Sequence, residues 1–153
     1  MATDPLRHRF EHDSVKQAVD LLVDRWTFLI LREAFFGVRR FGELQRNLGI
    51  ARTVLSARLK QLVAEGMLER VPYREDPVWF EYRLTEKGLE FYPVALALMA
   101  WGDRHLAGPA GPPLVLRHRR CGELAGPRWV CASCGEDLHA RDVQPEPGPG
   151  ARP

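Results

Sequence analysis

The sequence predicts a mainly α-helical fold that carries one small β-hairpin and ends in a short cysteine-bearing appendage. Three observations predict it. Apolar residues recur at helical spacing from Ser14 to Glu65 and again after Thr85. The period shortens to two between Met67 and Leu84, where β-branched and aromatic residues collect. All three cysteines crowd into Cys121 to Cys134, behind a Gly-Pro-Ala-Gly-Pro-Pro stretch that reads as a linker. A chain of 153 residues has room for one ordinary domain and an appendage, because a domain core is assembled from roughly 100 to 150 residues.

The first helix begins near Ser14, with Asp13 and Ser14 as capping candidates and Val15, Ala18, Val19 and Leu22 along one stripe. Asp24-Arg25 interrupts it, and Trp26 to Phe36 forms a second, largely buried helix that stops at Gly37. A short amphipathic helix follows from Phe41 to Leu48, closed by Gly49. Ala51 to Glu65 then places Leu55, Leu59, Leu62 and Val63 at i, i+4, i+7 and i+8. Two helices joined by a tight Gly-containing turn make a helix-turn-helix. Met67 to Tyr73 and Val78 to Leu84 flank a Glu75-Asp76-Pro77 turn, which is a hairpin directly after it. Thr85 opens a last helix, with Leu89, Tyr92, Leu96 and Met99 in its stripe, that reaches Trp101; Pro93 kinks it or sits near its first turn. The expected organisation is an N-terminal arm over 1–13, a winged helix-turn-helix domain over 14–107, a linker over 108–113, a cysteine-bearing segment over 114–143 and a proline-rich tail over 144–153. No internal repeat is visible.

The opening Met-Ala-Thr-Asp-Pro-Leu stretch lacks the apolar core of a signal peptide. The apolar run from Phe91 to Trp101 is too short to cross a hydrocarbon layer of about 30 Å. An odd number of clustered cysteines fits a reducing compartment better than a disulfide framework. The expectation is a cytoplasmic protein with no membrane partner. It carries no Gly-x-x-x-x-Gly-Lys, no Gly-x-Ser-x-Gly and no metalloprotease helix motif, so no enzymatic activity is assigned.

The net charge of +2 is unevenly spread. From Arg39 to Arg74, eight basic residues stand against three acidic ones, a local charge of +5 that leaves −3 for the rest of the chain. A basic middle between acidic ends is the footprint of a face that meets a polyanion. With Leu55 facing the core, a turn of about 100° per residue puts Thr53, Ala57 and Lys60 on the opposite side of the helix, with Ser56 flanking them. Small and polar residues there let a helix enter a major groove, and Arg52 lies near the helix start, where recognition helices meet bases. Arg58 projects from the side toward a phosphate, Arg40 belongs to the basic turn before the helix pair, and Arg74 lies at the hairpin tip. The expected partner is double-stranded DNA, with Arg40, Arg52, Thr53, Ser56, Arg58, Lys60 and Arg74 as the contact set. The alternative is an adaptor that docks protein partners through the same fold.

The strings R-W-T-F-L-I-L-R-E-A (Arg25 to Ala34), R-R-F-G-E-L-Q (Arg39 to Gln45), G-I-A-R-T-V-L-S-A-R-L-K-Q-L (Gly49 to Leu62), E-G-M-L-E-R-V-P-Y (Glu65 to Tyr73) and E-Y-R-L-T-E-K-G (Glu81 to Gly88) carry a family likeness. In unbroken order over about residues 14 to 106, the chain resembles the HxlR-type winged-helix regulators, relatives of the MarR-like group. The resemblance implies a transcription regulator that acts as a homodimer built from its first and last helices, with Ala51 to Glu65 for the groove and Arg70 to Glu81 for the wing. Val15, Val19, Leu96, Met99 and Trp101 would then serve the interface, although such stripes are more often plain core. Many members carry a sensing cysteine at the start of the first helix; the matching position here is Ser14, whose hydroxyl has no thiolate chemistry. A small-molecule effector stays open, since Trp26, Phe28, Phe35, Phe36, Trp79, Phe80, Phe91 and Tyr92 could line a pocket, although aromatic stripes at such spacing are usually core.

Beyond the linker, His118 to Gly122 reads H-R-R-C-G and Cys131 to Gly135 reads C-A-S-C-G. A zinc ribbon needs four soft ligands presented in pairs by tight turns, each with Gly behind its second ligand. His118, Cys121, Cys131 and Cys134 are therefore the expected ligands of one structural zinc. His139, five residues past Cys134, competes with His118 for the fourth place. The competing readings are a Cys131-Cys134 redox pair and a flexible tail with incidental thiols.

Overall fold

A computed structural model describes residues 13–146 and 148. The arm expected over 1–13 lies outside these residues except for Asp13, and the expected tail is described only at 144–146 and 148. The elements are α1 (Ser14–Leu22), α2 (Arg25–Phe35), α3 (Phe41–Leu48), α4 (Arg52–Ala64), β1 (Leu68–Glu75), β2 (Val78–Leu84), α5 (Glu86–Glu90) and α6 (Tyr92–Leu106). The order is that of a winged helix-turn-helix. The chain divides into two compact units, Ser14–Ala95 and another that contains Leu96 and all that follows. The division falls within α6.

The first unit is built around ten buried apolar residues drawn from α1 to β1: Leu22, Ile30, Leu31, Leu44, Ile50, Leu55, Leu59, Leu62, Met67 and Leu68. Asp24 does more than interrupt the first helix. Its carboxylate accepts hydrogen bonds from the backbone N–H groups of Trp26 (3.0 Å) and Thr27 (3.2 Å), capping α2. Burial pulls the Asp24 carboxyl upward, but hydrogen bonds from Thr27 and Trp26 and the nearby Arg58 guanidinium outweigh it and hold it below the usual carboxylate range. Buried Glu33 ties α2 to α3 by accepting from Asn47 Nδ2 at 2.9 Å. Gly49 closes α3 in the left-handed conformation, at φ +60°.

β1 and β2 pair antiparallel, from Leu68 opposite Leu84 to Glu75 opposite Val78. The register shifts between Pro72 and Arg74, so Tyr73 is the extra residue of a bulge. Proline has no ladder donor to lose there. A further bridge joins Arg40 to Glu81, and Tyr82 N–H donates to the Arg39 carbonyl at 2.8 Å. The basic turn before α3 is thus an extra edge of the wing and not only a turn.

The expected last helix is two helices. α5 ends at Phe91, and Pro93 lies in the first turn of α6, where a missing N–H costs nothing. The Thr-Glu-Lys-Gly run that opens α5 is a corner piece. Thr85 Oγ1 accepts from Gly88 N–H and donates to the Gly66 carbonyl. Lys87 Nζ donates to the Glu65 carbonyl at 2.7 Å, a cation at the C-terminus of α4. Gly88 is buried, and a Cβ there would stand 2.2 Å from the Met67 carbonyl oxygen.

The second unit has no residue classed as buried among those described. Its order comes from two small hairpins, bridged at Arg117 with Leu124 and at Val130 with Asp137. They repeat one another at a thirteen-residue offset, which aligns H-R-R-C-G with C-A-S-C-G. Among the described residues no helix is long and apolar enough to cross a membrane.

Two outcomes follow for stability. Gly88→Ala should cost about 1–3 kcal/mol, as for overpacking against fixed backbone, whereas exposed Glu90→Ala should stay within about 0.5 kcal/mol; urea unfolding of both variants is the check, and equal midpoints would contradict the close approach. Asp24→Ala should cost about 0.5–2 kcal/mol at neutral pH. Because the folded carboxyl is held below its unfolded value, the ionised cap contributes fully above the ordinary carboxylate range and its contribution fades as pH falls through the folded value. The gap between parent and Asp24→Ala should therefore narrow in acid, and a gap that widened would contradict the assignment.

Candidate nucleic-acid interface

The interface is assembled from α4, the turn before α3, and the wing. Leu55, Leu59 and Leu62 of α4 have no exposed surface. Their burial fixes the rotation of the helix about its axis, which turns Arg52, Thr53, Ser56, Ala57 and Lys60 to solvent. α4 starts at Ala51 without a side-chain cap, and α3 starts at Arg40 likewise. Both helix starts thus keep amide donors that an anion can take.

The basic residues are seated on aromatic rings. Arg52 lies over Phe41 at 5.5 Å, Arg40 over Tyr73 at 4.8 Å, and Arg70 over Phe80 at 3.5 Å. Stacking of this kind holds a guanidinium plane in place while leaving its donors free. The bulge at Pro72 delivers Tyr73, whose ring meets Trp79 edge-on at 6.4 Å. Between the start of α3 and the wing lies an open groove of about 390 Å³ lined by Arg40, Phe41, Arg46, Tyr73, Trp79 and Phe80, among others.

The expected contact residues divide accordingly. Arg52 is seated on Phe41 of α3 and Arg40 on Tyr73 of the wing; Thr53, Ser56 and Lys60 point outward from α4; and Arg74 is exposed opposite Trp79 near the wing tip. Arg58 differs. It is half-buried, with Nη1 donating to Gln61 Oε1 at 3.0 Å and Nε 3.6 Å from the Asp24 carboxylate. Arg46, Arg70, Tyr73, Trp79 and Phe80 join the site without belonging to the expected contact set, although Arg70 to Glu81 is the expected wing. The signal was present in the alternation of Arg70, Tyr73 and Arg74 with Trp79 and Phe80, but a strand pairing is needed to join them.

Among the four expected metal ligands, His118 Nδ1 stands 3.3 Å from Cys121 Sγ. Cys131 receives hydrogen bonds from the backbone of Cys134 and Ser133, which hold its thiol below the usual range. Each pair is closed on itself. No group of three or more His, Cys, Asp or Glu side chains among the described residues is gathered closely enough to hold a metal ion.

Residues 21–109 match the HxlR-like helix-turn-helix family. The chain is 58% identical over 150 residues to the uncharacterized HTH-type transcriptional regulator Rv3095 of Mycobacterium tuberculosis, covering 98% of this chain and 95% of that protein. Its fold is similar to that of PA1607, a candidate transcription factor of known crystal structure, with a TM-score of 0.81 and 36% identity over 91% of this chain and 97% of the other. A candidate transcriptional regulator of the MarR family from Porphyromonas gingivalis shares part of the fold, with a TM-score of 0.57 and 30% identity over 63% of this chain and 95% of its own. The first two likenesses extend through the cysteine-bearing unit. The family is one of DNA-binding regulators and not of enzymes, and with its buried leucine seam, outward polar helix face and aromatic-seated wing the chain belongs to the HxlR-like helix-turn-helix family of transcriptional regulators.

Proposed function

We propose that this regulator binds operator DNA in the cytoplasm as a homodimer, with α4 in the major groove and the wing on the flanking backbone or minor groove. The observation that carries this reading is the outward face of α4, where Arg52, Thr53, Ser56 and Lys60 are exposed while the opposite face is fully buried. Arg52 and Ser56, near the helix start, read base edges, and Thr53 shares that edge. Lys60, Arg40 and Arg74 grip phosphates. Arg58, engaged by Asp24 and Gln61, braces α4 against the start of α2, in place of the phosphate grip that its sequence position predicts.

The homodimer rests on α6. It has fifteen residues and buries none of them, yet it exposes Val94, Leu98 and Trp101, each about half accessible, at helical spacing. Val19 and Val23 near the end of α1 are similarly exposed. Covering these faces with a second copy removes apolar surface from water and sets two recognition helices about a two-fold axis. The dimer then spans half-sites about one helical turn apart.

Two measurements test this. After selection of the preferred duplex from a random pool, Arg52→Ala should relax preference at one position by about 1–3 kcal/mol, whereas Lys60→Ala or Arg74→Ala should weaken all duplexes together and reduce the log–log salt slope by about 0.9 per lost phosphate contact. Affinity indifferent to salt would overturn the reading in favour of an adaptor that docks proteins. In sedimentation, the Leu98→Asp/Trp101→Asp double variant should run as a monomer and lose tight operator binding with its helical circular dichroism intact. A parent that is monomeric at micromolar concentration and still binds the operator tightly would refute the dimer.

A further inference from the structure

We propose that the second unit holds one structural zinc ion through His118, Cys121, Cys131 and Cys134, two ligands from each of two matching knuckles. The argument begins with the backbone. In the first hairpin, His118 N–H donates to the Glu123 carbonyl at 2.9 Å, Gly122 N–H to the His118 carbonyl at 2.8 Å, and Ala125 N–H to the Leu116 carbonyl at 2.8 Å. In the second, Cys131 N–H donates to Glu136, Gly135 N–H to Cys131, and Leu138 N–H to Trp129, all at 2.8 Å. Every donor and acceptor maps onto its counterpart thirteen positions on. The glycines that turn the chain match too, at φ +76° for Gly122 and +77° for Gly135, a conformation other L-residues rarely adopt.

This repeat decides between the two histidines. His118 occupies the place of Cys131, and Cys121 that of Cys134, as first and second ligand of each knuckle. His139 maps onto Gly126, beyond the hairpin, and its carbonyl is taken up in a turn by Asp142 N–H at 2.9 Å. In the first knuckle the two ligand atoms converge, with His118 Nδ1 and Cys121 Sγ 3.3 Å apart; in the second, the Cys134 side chain and the backbone N–H groups of Cys134 and Ser133 hydrogen-bond the Cys131 sulfur. N–H groups directed at a thiolate are the outer support that a metal-bound sulfur uses.

The energetics point the same way. The unit exposes Leu124, Trp129, Val130 and Leu138, each at 41–59% of its surface, and none of its described residues is buried to form a core between the hairpins. A segment of this size folds firmly only with a cross-link or a metal. The two ligand pairs are not yet gathered into one cluster, and a cation that closes one knuckle on the other would supply that link. Three thiolates and one imidazole form a donor set suited to tetrahedral Zn²⁺ with no open position, so the role is structural.

The test uses the full chain, purified without chelator. Elemental analysis should find one zinc per chain in the parent and in His139→Ala, and a loss of most of it in Cys131→Ser and His118→Ala. His118→Cys should restore binding, and the cobalt-substituted form of that variant should show stronger thiolate-to-cobalt charge transfer than the cobalt-substituted parent. Helical circular dichroism unchanged in the metal-free variants would show that the loss is local to the second unit. A parent that has no zinc and gives no tetrahedral cobalt spectrum, or that is recovered with a Cys131–Cys134 disulfide instead, would overturn the site. Retention by His118→Ala with loss in His139→Ala would overturn the ligand set.

Discussion

The burial of three leucines on one side of α4 governs the rest of the molecule. Leu55, Leu59 and Leu62 have no accessible surface, and truncating any of them to alanine would cost on the order of 2–5 kcal/mol. That energy locks the rotation of the helix. A helix free to roll by about 100° would exchange Ser56 or Lys60 for a leucine at its outer face. The specificity of a recognition helix therefore lives in packing that never touches the nucleic acid. Arg58 and Asp24 add to the same constraint from the side, since the residue that caps α2 is also the one that meets the flank of α4.

The wing depends on that frame through its corner. β1 leaves the end of α4 by way of Gly66, and Thr85 and Lys87 return to bond the carbonyls of Gly66 and Glu65. Gly88 allows α5 to approach the Met67 backbone more closely than any side chain would permit. The hairpin is therefore anchored at its base, and its outer part is shaped by the bulge at Pro72. Arg40 joins from the other side, paired with Glu81 in backbone and stacked on Tyr73 in side chain. Three segments distant in sequence thus present guanidinium groups on aromatic supports, which reduces the side-chain entropy left to lose when their donors are engaged.

The second unit follows a different physical rule. Beyond α6 it satisfies its backbone locally, in two hairpins, and leaves Leu124, Trp129, Val130 and Leu138 largely exposed. Hydrogen bonds alone contribute little net stability in water, so such a unit needs another source of cohesion. A site with half its ligands on each hairpin would provide it without enlarging the core.

Much of the architecture is legible in the letters because it is written in periodicity. The stripes of α1 to α4 appear as expected, with bounds that agree to about one residue, because apolar spacing and glycine stops act locally. The hairpin and its turn are equally local. What the sequence by itself determined is therefore the element order, the basic polar face of α4 and the paired Cys and His spacing. Tertiary structure alone decided the rest: the break between α5 and α6, the recruitment of Arg40 to the wing, the ion pair of Arg58 with Asp24 and the matching backbone hydrogen bonds of the two knuckles. Each depends on which residues meet across long separations in the chain, and one side chain's partners there are set by packing and hydrogen-bond geometry that no local period encodes.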